Sequence, residues 1–282
     1  MTSRPPLLLA GVGFVAEAVA AAASGRLIAG TTRRPQSAAH LEGLGIEPIV
    51  LVPGMESALT ERSKDADIVV SFPPDGHTDA RMAALLESAR RLVYVSSTGV
   101  YGDTRGRIDN RTPAAPSDDT GRRRLAAEDS WRSAGATVVR APGIYGPGRG
   151  LHRSLQTGAY RLPGDGSGII SRIHVDDLAS VLLAALDADV AGRTYVVGDL
   201  CAVPQREVVE WLCERLGREL PPSMPLEHAP RTLRGSRAVD PSDSLSELGV
   251  TLRYPSYREG FAACLDAEES SVNSSANQYR ER

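Results

Sequence analysis

A glycine-containing segment near the start of the chain, residues 7–34, constrains the fold most. It reads LLLAGVGFVAEAVAAAASGRLIAGTTRR: an apolar run, a G-x-G-x-x-A turn, an alanine-rich helix and a second apolar run. A strand, glycine turn, helix and strand within about thirty residues is the context that a dinucleotide-binding fingerprint requires. Gly11 allows a tight turn, Gly13 lets the backbone approach a pyrophosphate, and Ala16 permits close helix packing. We therefore expect the phosphates at the helix N-terminus, beside Phe14 and Val15.

The same segment also has a second interpretation, as a secretory leader. Arg4 precedes the apolar stretch, and small residues near Ala22 resemble a cleavage site. Glu17 would lie inside the apolar region of such a leader, and Gly11 and Gly13 would interrupt it. A leader also gives no role to the strand pattern on both sides of the helix. The dinucleotide interpretation therefore explains more of the segment.

The end of the second apolar run bears on which dinucleotide fits. Proteins that bind NAD usually place Asp or Glu there, where it accepts a hydrogen bond from the ribose 2′-hydroxyl. This chain has Thr32, Arg33 and Arg34 instead, and no carboxylate before Glu42. A guanidinium can pair with the 2′-phosphate of NADP. The pattern favours NADP, and the alternative is a solvated turn of two arginines before Pro35.

The composition indicates the class of protein. Of the 282 residues, 41% are hydrophobic and 24% charged, as in ordinary soluble proteins. A net charge of −3 gives no electrostatic reason to expect nucleic acid or a membrane as partner. Cys201, Cys213 and Cys264 lack metal-ligand spacing, and so sparse a set fits reduced thiols. We expect a cytoplasmic protein without a metal, acting on a small molecule, and leave a homodimer open.

Apolar runs of strand length alternate with helical patterns through most of the chain. Such alternation predicts an α/β fold, a Rossmann-type doubly wound parallel sheet with a smaller C-terminal substrate lobe. We expect a Rossmann domain at 1–198, including a substrate-facing loop at 146–170, a covering lobe at 199–267, and a disordered tail at 268–282. Ligands of such sheets bind beyond the carboxyl ends of the strands. Gly11, Arg33, Phe72 and Ser96 are therefore expected at one crevice.

Three later segments follow the glycine turn in a recognisable order. They are Ser96–Asp103 (SSTGVYGD), Arg140–Gly148 (RAPGIYGPG) and Arg172–Ala179 (RIHVDDLA). With the turn, they resemble the extended and atypical short-chain dehydrogenase/reductases, the NAD-dependent epimerase/dehydratase group. The resemblance covers residues 7–200, and Leu245–Leu265 is similar to the closing segment of a bacterial atypical branch. It implies a nicotinamide-dependent oxidoreductase or epimerase.

The resemblance also implies roles for individual residues, with one departure. Ser97 matches the Ser/Thr that hydrogen-bonds the reacting oxygen. The family's Tyr-x-x-x-Lys is missing: when the helix is aligned on Glu128, Thr120 stands at the tyrosine position and Arg124 at the lysine position. An aliphatic hydroxyl is far less acidic than a phenol, whose pKa is about 10, so Thr120 cannot transfer the proton by the same route. Arg124 can still bind ribose hydroxyls.

The proton donor remains open at this stage. Tyr145 could supply a phenol at the pocket edge or pack structurally, and His174 could act as acid or base or be a buried helix-start residue. The expected catalytic residues are Ser97, Thr120, Arg124 and Tyr145. The expected cofactor-binding residues are Gly11, Gly13, Phe14, Val15, Thr32, Arg33, Arg34, Phe72, Ser96, Pro142, Gly143 and Ile144.

Two functions follow from the sequence. The first is an NADP-binding oxidoreductase or epimerase that transfers hydride at a small or sugar-like carbonyl or alcohol. The second is a catalytically silent NADP-binding sensor or interaction protein. In such a protein the missing Tyr–Lys pair would explain the lack of catalysis. Binding of NADPH without turnover of any carbonyl would distinguish the second from the first.

Overall fold

Short apolar strands alternate with helices in the computed structural model, which describes residues 4–54, 56–188 and 190–280. The strands are β1 (Leu7–Ala10), β2 (Ile28–Thr32), β3 (Glu47–Val50), β4 (Asp67–Val70), β5 (Arg91–Ser97), β6 (Gly106–Ile108), β7 (Thr137–Ala141), β8 (Gly143–Tyr145), β9 (Leu162–Pro163), β10 (Ile169–Ile170), β11 (Arg172–His174), β12 (Thr194–Val196), β13 (Val203–Pro204), β14 (Ser223–Met224) and β15 (Arg237–Val239). The helices are α1 (Phe14–Ala22), α2 (Ala38–Gly43), α3 (Glu56–Ser63), α4 (Thr78–Leu86), α5 (Asp119–Ser133), α6 (Leu151–Gln156), α7 (Val175–Asp187), α8 (Gln205–Leu216), α9 (Ser242–Leu248) and α10 (Tyr257–Arg280).

Seven strands form the central sheet, in the order β12-β7-β5-β4-β1-β2-β3. Every neighbouring pair in this sheet is parallel. The order reverses between β1 and β4, and a crevice beyond the carboxyl ends of strands at such a switch point is where doubly wound sheets bind ligands. The predicted fold class, a Rossmann-type parallel sheet, is confirmed.

Both faces of the sheet are covered, which explains why its strands are apolar throughout. One core layer lies between the sheet and α1 and α7, and the other lies between the sheet and α4 and α5, with Trp131 fully buried in it. Residues after 198 also enter the first layer, since Leu245, Leu248 and Leu252 pack there. The domain boundary expected at residue 198 stays a prediction. The chain beyond residue 198 is not separate from the sheet, since it contributes these leucines to the core.

Short strand pairs join the loop at 146–170 to the chain after residue 198. They are β10 with β13 and β9 with β14. With α6, α8 and the start of α10 they form a second core, which includes Leu155, Leu162 and Leu212. We call this assembly the lobe. That the lobe covers the substrate stays a prediction.

The C-terminal helix is longer than the sequence pattern indicates. α10 runs from Tyr257 to Arg280 and so includes most of the segment 268–282 for which the sequence predicts disorder. Its Glu268 carboxylate accepts hydrogen bonds from the Gly148 backbone N–H at 2.7 Å and from His152. Residues 281 and 282 lie outside the described residues. Within the described part of the chain, no helix has the length and apolar character needed to cross a membrane.

Candidate functional site

A cleft of about 520 Å³ lies beyond the carboxyl ends of β1, β2 and β4. Its position at the switch point is the one that the sequence predicts for the dinucleotide. It contains both glycines of the turn and the arginines that follow β2. It also contains polar side chains that the sequence analysis did not assign to the cofactor, among them Ser71, Asp75 and Thr78. The cleft is lined by Gly11, Val12, Gly13, Thr31, Thr32, Arg33, Arg34, Ser37, Leu51, Ser71, Phe72, Pro73, Pro74, Asp75, Thr78 and Met82.

Gly11 is required by the geometry of the turn. Its φ is +85°, and a Cβ added there would lie 2.8 Å from the Cβ of Phe72. The Gly11 backbone is held on both sides, because its N–H donates to Thr31 Oγ1 at 2.7 Å and its carbonyl accepts from Ser71 Oγ at 2.9 Å. These bonds fix the turn between β1 and α1, and they engage the Thr31 hydroxyl in the fold.

Gly13 leaves the space in front of the α1 N-terminus open. Its backbone is extended at φ −166°, it caps α1, and no described atom lies within 4 Å of the position that a Cβ would occupy. The space in front of the first α1 residues, Phe14 and Val15, is therefore open. Free N–H groups and the partial positive charge of a helix start favour a phosphate there. The residues present thus fit the pyrophosphate of a dinucleotide.

Arg33 and Arg34 are exposed at the wall of the cleft. The hydroxyl of Thr32 accepts a hydrogen bond from the Arg34 N–H at 3.1 Å, which shapes the turn after β2. One carboxylate lines this cleft, that of Asp75, and it caps α4 by accepting bonds from Thr78 and His77. The hydroxyl of Thr78, followed by the backbone N–H groups, holds the pKa of Asp75 far below its usual range.

Ser96 is placed differently from the expectation. Its hydroxyl donates to Glu128 Oε1 at 2.6 Å, away from the cleft, and Ser96 is buried. Glu128 is fully buried and is held by Arg140 at 2.9 and 2.7 Å. Burial alone would raise the pKa of Glu128, but the hydrogen bonds and charge of Arg140 lower it below its usual value. Ser96 thus belongs to a buried ion-pair network that fixes the end of β5, and its hydroxyl does not line the cleft, so a cofactor role for Ser96 stays a prediction.

Arg149 is a cation near the glycine turn that the sequence analysis missed. Its guanidinium lies 5.0 Å from the ring centroid of Phe14, the first residue of α1. A tight turn holds it, with Gly146 and Arg149 exchanging two backbone hydrogen bonds of 2.9 and 3.0 Å. A Cβ on Gly146 would lie 3.0 Å from Phe14 Cζ, so this turn sits directly on the start of α1. No short sequence signal links residues 14 and 149.

Ser97 stands at the junction of two small cavities beside the end of β5. One, of about 220 Å³, also contains Pro142, Gly143, Ser171 and residues of the lobe. The other, of about 110 Å³, contains Thr120, Arg124, Arg231 and Arg237. Both contain Ser97, Gly99, Thr232 and Arg237, so they adjoin. The structure therefore brings together three of the four residues expected to be catalytic, Ser97, Thr120 and Arg124.

The hydroxyl of Ser97 is available for a ligand. Its Oγ accepts a hydrogen bond from the Gly99 N–H at 3.1 Å, which leaves the hydroxyl proton free to donate. Arg124 is fixed against β5, since its Nη1 donates to the Tyr94 hydroxyl at 3.1 Å and to the Val95 carbonyl at 3.4 Å. Burial raises the pKa of Tyr94 to about 12, so this phenol stays neutral at physiological pH. Thr120 is exposed at the start of α5.

Tyr145 does not lie at the pocket edge. It is buried and packs on Phe261 at 4.3 Å, and burial raises the pKa of its phenol far above the usual range. His174 is also buried and caps α7, its Nδ1 accepting from the Asp176 N–H at 3.2 Å. Burial lowers the pKa of His174 below its usual value. Neither residue lines the two cavities at Ser97, and Ile144 packs against the core of the sheet.

The cavities at Ser97 are rich in guanidinium groups. Arg237 donates to the Gly102 carbonyl, and Arg231 pairs with Asp118 at 3.3 Å. With Arg124, three arginines line one small cavity. Among the described residues that line the two cavities there is no tyrosine, histidine or lysine. Two carboxylates, Asp103 and Asp118, line the same cavity, so the three guanidinium groups leave it a net positive charge. That charge favours an anion, and the cavities offer Ser97 no neighbouring acid of the family's usual type.

Comparison with known proteins identifies the family. The sequence profile of the NAD dependent epimerase/dehydratase family matches residues 76–198, which contain Ser97 and the positions of the missing Tyr–Lys pair. Over these residues the chain belongs to the NAD-dependent epimerase/dehydratase family. This assignment confirms the resemblance found in the sequence and supports a nicotinamide cofactor.

Three known proteins are similar to most of the chain. It is 28% identical to dTDP-glucose 4,6-dehydratase of Mycolicibacterium smegmatis over 240 residues, 72% of each chain. It is also 28% identical to protein YeeZ of Escherichia coli over 244 residues, 80% of this chain and 86% of YeeZ. The solved structure of a conserved protein of unknown function from Silicibacter pomeroyi has a TM-score of 0.80 and 31% identity, and covers 94% of this chain and 99% of its own.

Proposed function

We propose that the chain is an NADP-dependent oxidoreductase that acts on a small or sugar-like carbonyl or alcohol carrying an anionic group. The same hydride step, used transiently, would serve an epimerase. One observation carries the proposal: the Ser97 hydroxyl, with a free proton, lies between adjoining cavities lined by Arg124, Arg231 and Arg237. Such a group is suited to bind a carbonyl oxygen while guanidiniums hold a phosphate or carboxylate elsewhere on the substrate.

The cofactor would lie in the cleft beyond β1, β2 and β4. Gly11 and Gly13 would allow the pyrophosphate to approach the start of α1, and Arg33 would pair with the 2′-phosphate. Pro142 and Gly143 line the cavity beside Ser97, on the side where the nicotinamide is expected. When bound, the nicotinamide supplies hydride transfer. The residues of the chain would hold the cofactor, orient the substrate and polarise its reacting carbonyl.

Ser97 would stabilise the reacting oxygen by donating its hydroxyl proton in a hydrogen bond. Thr120 cannot replace a phenol in proton transfer, because an aliphatic hydroxyl is far less acidic. Since Tyr145 and His174 are buried elsewhere, the proton would come from water that reaches Ser97 through the open side of the cavities. Arg124, fixed to Tyr94 and Val95, would bind a ribose hydroxyl with its remaining N–H donors.

A second function, a catalytically silent NADP-binding sensor, has its own supporting observation. The described residues lining the cavities at Ser97 include no tyrosine, histidine or lysine. The deciding experiment measures NADPH binding by fluorescence and NADPH oxidation against a panel of carbonyl compounds, each with and without a phosphate or carboxylate group. Turnover that prefers the anionic compounds supports the enzyme, and tight NADPH binding without any turnover supports the sensor.

The first prediction concerns the choice of dinucleotide. Replacing Arg33 with Ala should weaken NADPH binding about tenfold to a hundredfold, because a hydrogen bond to a charged group contributes about 1.5–3 kcal/mol. NADH, which lacks the 2′-phosphate, should bind almost unchanged. Fluorescence titration of both cofactors gives the answer, with Arg111→Ala, an exposed arginine outside the cleft, as control. Equal affinity of the wild type for NADPH and NADH would contradict the NADP assignment.

The second prediction concerns Arg149. Its guanidinium, stacked on Phe14, adds positive charge at the start of α1, where the pyrophosphate is proposed to lie. Arg149→Met should therefore weaken NADPH and NADH alike, by about twofold to fivefold, since an exposed charge at a helix terminus contributes about 0.3–1 kcal/mol. The matched control is Arg153→Met in the following helix, which should leave both affinities unchanged. If only NADPH were weakened, Arg149 would instead belong to the 2′-phosphate site.

A further inference from the structure

Three buried polar side chains form a cluster where the lobe meets β8 and β11, and neither the cofactor site nor the substrate site uses it. They are Tyr145 at the end of β8, Arg172 in β11 and Asp199 just after β12, with 3%, 5% and 1% of their surfaces exposed. Each has one polar atom without a hydrogen-bond partner among the described residues: Tyr145 Oη, Arg172 Nη1 and Asp199 Oδ2. A buried polar atom left in that condition costs free energy, so such atoms are almost always paired with protein or ordered water.

The three side chains lie together. The Asp199 N–H donates to the Arg172 carbonyl at 2.7 Å, and β8 and β11 are paired so that Arg172 is opposite Gly143 and His174 opposite Tyr145. Tyr145 is two residues beyond Gly143 in β8, so its side chain lies on the same face of this strand pair as that of Arg172. Despite this proximity, no ion pair within 4.0 Å joins Arg172 to any carboxylate of the described residues. A gap thus separates groups that attract each other.

The neighbouring atoms prevent the side chains from turning to close that gap. Arg172 Nη2 donates to Gln205 at 3.4 Å, and Asp199 Oδ1 accepts from the Cys201 N–H at 3.2 Å. The Tyr145 ring is packed against Phe261, and its Oη lies only 1.9 Å from where a Cβ on Gly260 would be. The unpartnered atoms are therefore held in place by bonds and packing on their other sides.

We propose that this cluster is a buried water-binding site, in which one or more water molecules bridge Arg172 Nη1, Asp199 Oδ2 and the Tyr145 hydroxyl. Water fits because it can accept from the guanidinium and donate to the carboxylate at the same time, and buried waters make about three hydrogen bonds. A small anion fits less well, since it would face the carboxylate. Burial raises the pKa of Asp199 to about 7, so above that pH its negative charge opposes an anion.

The position of this water-binding site gives it a structural role. Asp199 follows β12, where the chain leaves the central sheet for the lobe. Gly143 begins β8 and Ser171 directly precedes β11, and both line the cavity at Ser97. Bridging water would join the lobe to these two strands where Arg172 and Asp199 make no direct ion pair. Loss of one bridged group should therefore lower thermal stability.

A crystal structure at pH 8 and about 1.5 Å resolution tests the proposal directly. We expect an ordered water within hydrogen-bond distance of Arg172 Nη1 and of at least one of Asp199 Oδ2 and Tyr145 Oη. Crystals grown with sodium bromide, examined by anomalous scattering, form the second arm. An anomalous peak between Arg172 and Tyr145 would replace the water site with an anion site, and a dry cluster would overturn the proposal.

Unfolding experiments test it in solution. Tyr145→Phe should lower Tm by about 2 to 4 °C, because the bridging water loses a partner, whereas removing a truly unpaired hydroxyl would leave Tm unchanged or raise it. Combining it with Asp199→Asn should cost less than the sum of the two single changes. Tyr195→Phe, which loses a direct bond to Glu247 of 3.0 Å, is the control and should be additive with Asp199→Asn. If Asp199→Asn does not fold, the sign of the Tyr145→Phe effect still decides.

Discussion

Ser97→Ala is expected to lower kcat/KM for the preferred carbonyl by about a hundredfold to a thousandfold, the loss typical of removing one donor to a developing oxyanion. The reason is geometric, because Ser97 lines both cavities and no acceptor among the described residues takes its hydroxyl proton. NADPH binding should change little, since the dinucleotide is held mainly in the other cleft. Steady-state NADPH oxidation, with fluorescence titration of the cofactor, measures both quantities.

Two further variants make this test selective. Ser96→Ala is the matched control, because the Ser96 hydroxyl donates to Glu128 and faces away from the cavities. It should lower Tm but leave the turnover of the folded protein within about threefold. Thr120→Ala should cost well under tenfold, because its hydroxyl is too weak an acid to be the proton donor. A thousandfold loss in Thr120→Ala would place that hydroxyl in the mechanism, contrary to the proposal.

Restoring the family's acid tests the same idea in the opposite direction. Thr120→Tyr combined with Arg124→Lys would supply a phenol near Ser97 together with an ammonium that lowers its pKa. Arg124 is held by Tyr94 and Val95, so its replacement removes two hydrogen bonds to β5. We expect higher turnover if the ring fits the cavity. Lower turnover with intact NADPH binding would mean that Arg124 itself is needed for the reaction.

Gly13→Val is expected to abolish binding of both dinucleotides while the protein still folds. No described atom lies within 4 Å of the position that its Cβ would occupy, and the backbone there is extended, so we expect the fold to tolerate the change. The same space lies in front of the α1 N-terminus, where the pyrophosphate must approach the backbone. Circular dichroism and thermal unfolding check the fold, and fluorescence titration checks binding. Normal NADPH binding by this variant would require a different cofactor site.

The matched control for Gly13→Val is Gly43→Val. Gly43 ends α2, and a Cβ there also meets no described atom within 4 Å, but Gly43 does not line the cleft. It should bind both dinucleotides as the wild type does. Gly11→Val is not a control, because φ at Gly11 is +85° and the added Cβ would lie 2.8 Å from Phe72. That variant should lose stability as well as binding, and only the comparison with Gly13→Val separates the two effects.

Much of the fold could be predicted because it depends on local pattern. Apolar runs of strand length, separated by helical periodicity, determine a parallel sheet wherever both faces are covered. The glycine turn is equally local, since Gly11 and Gly13 act through their own backbone and the helix that follows. Ser97 could be located because the segment S-S-T-G-V-Y-G-D at the end of β5 resembles a segment of the short-chain dehydrogenase/reductases that holds the family's Ser/Thr. The structure of the segment after residue 267 was harder to predict, because α10 continues past Glu268 although the sequence there lacks an apolar pattern.

The remaining features depend on contacts between distant segments, which no short pattern records. Ser96 and Ser97 are neighbours in β5, yet the buried Glu128–Arg140 pair engages only Ser96. Arg149 reaches Phe14, and Arg231 and Arg237 reach Ser97, only because the lobe folds over the end of the sheet. The sequence by itself determined the sheet, the glycine turn and the family. Tertiary packing alone decided which polar groups face the site, because a side chain's direction is set by the residues that it packs against.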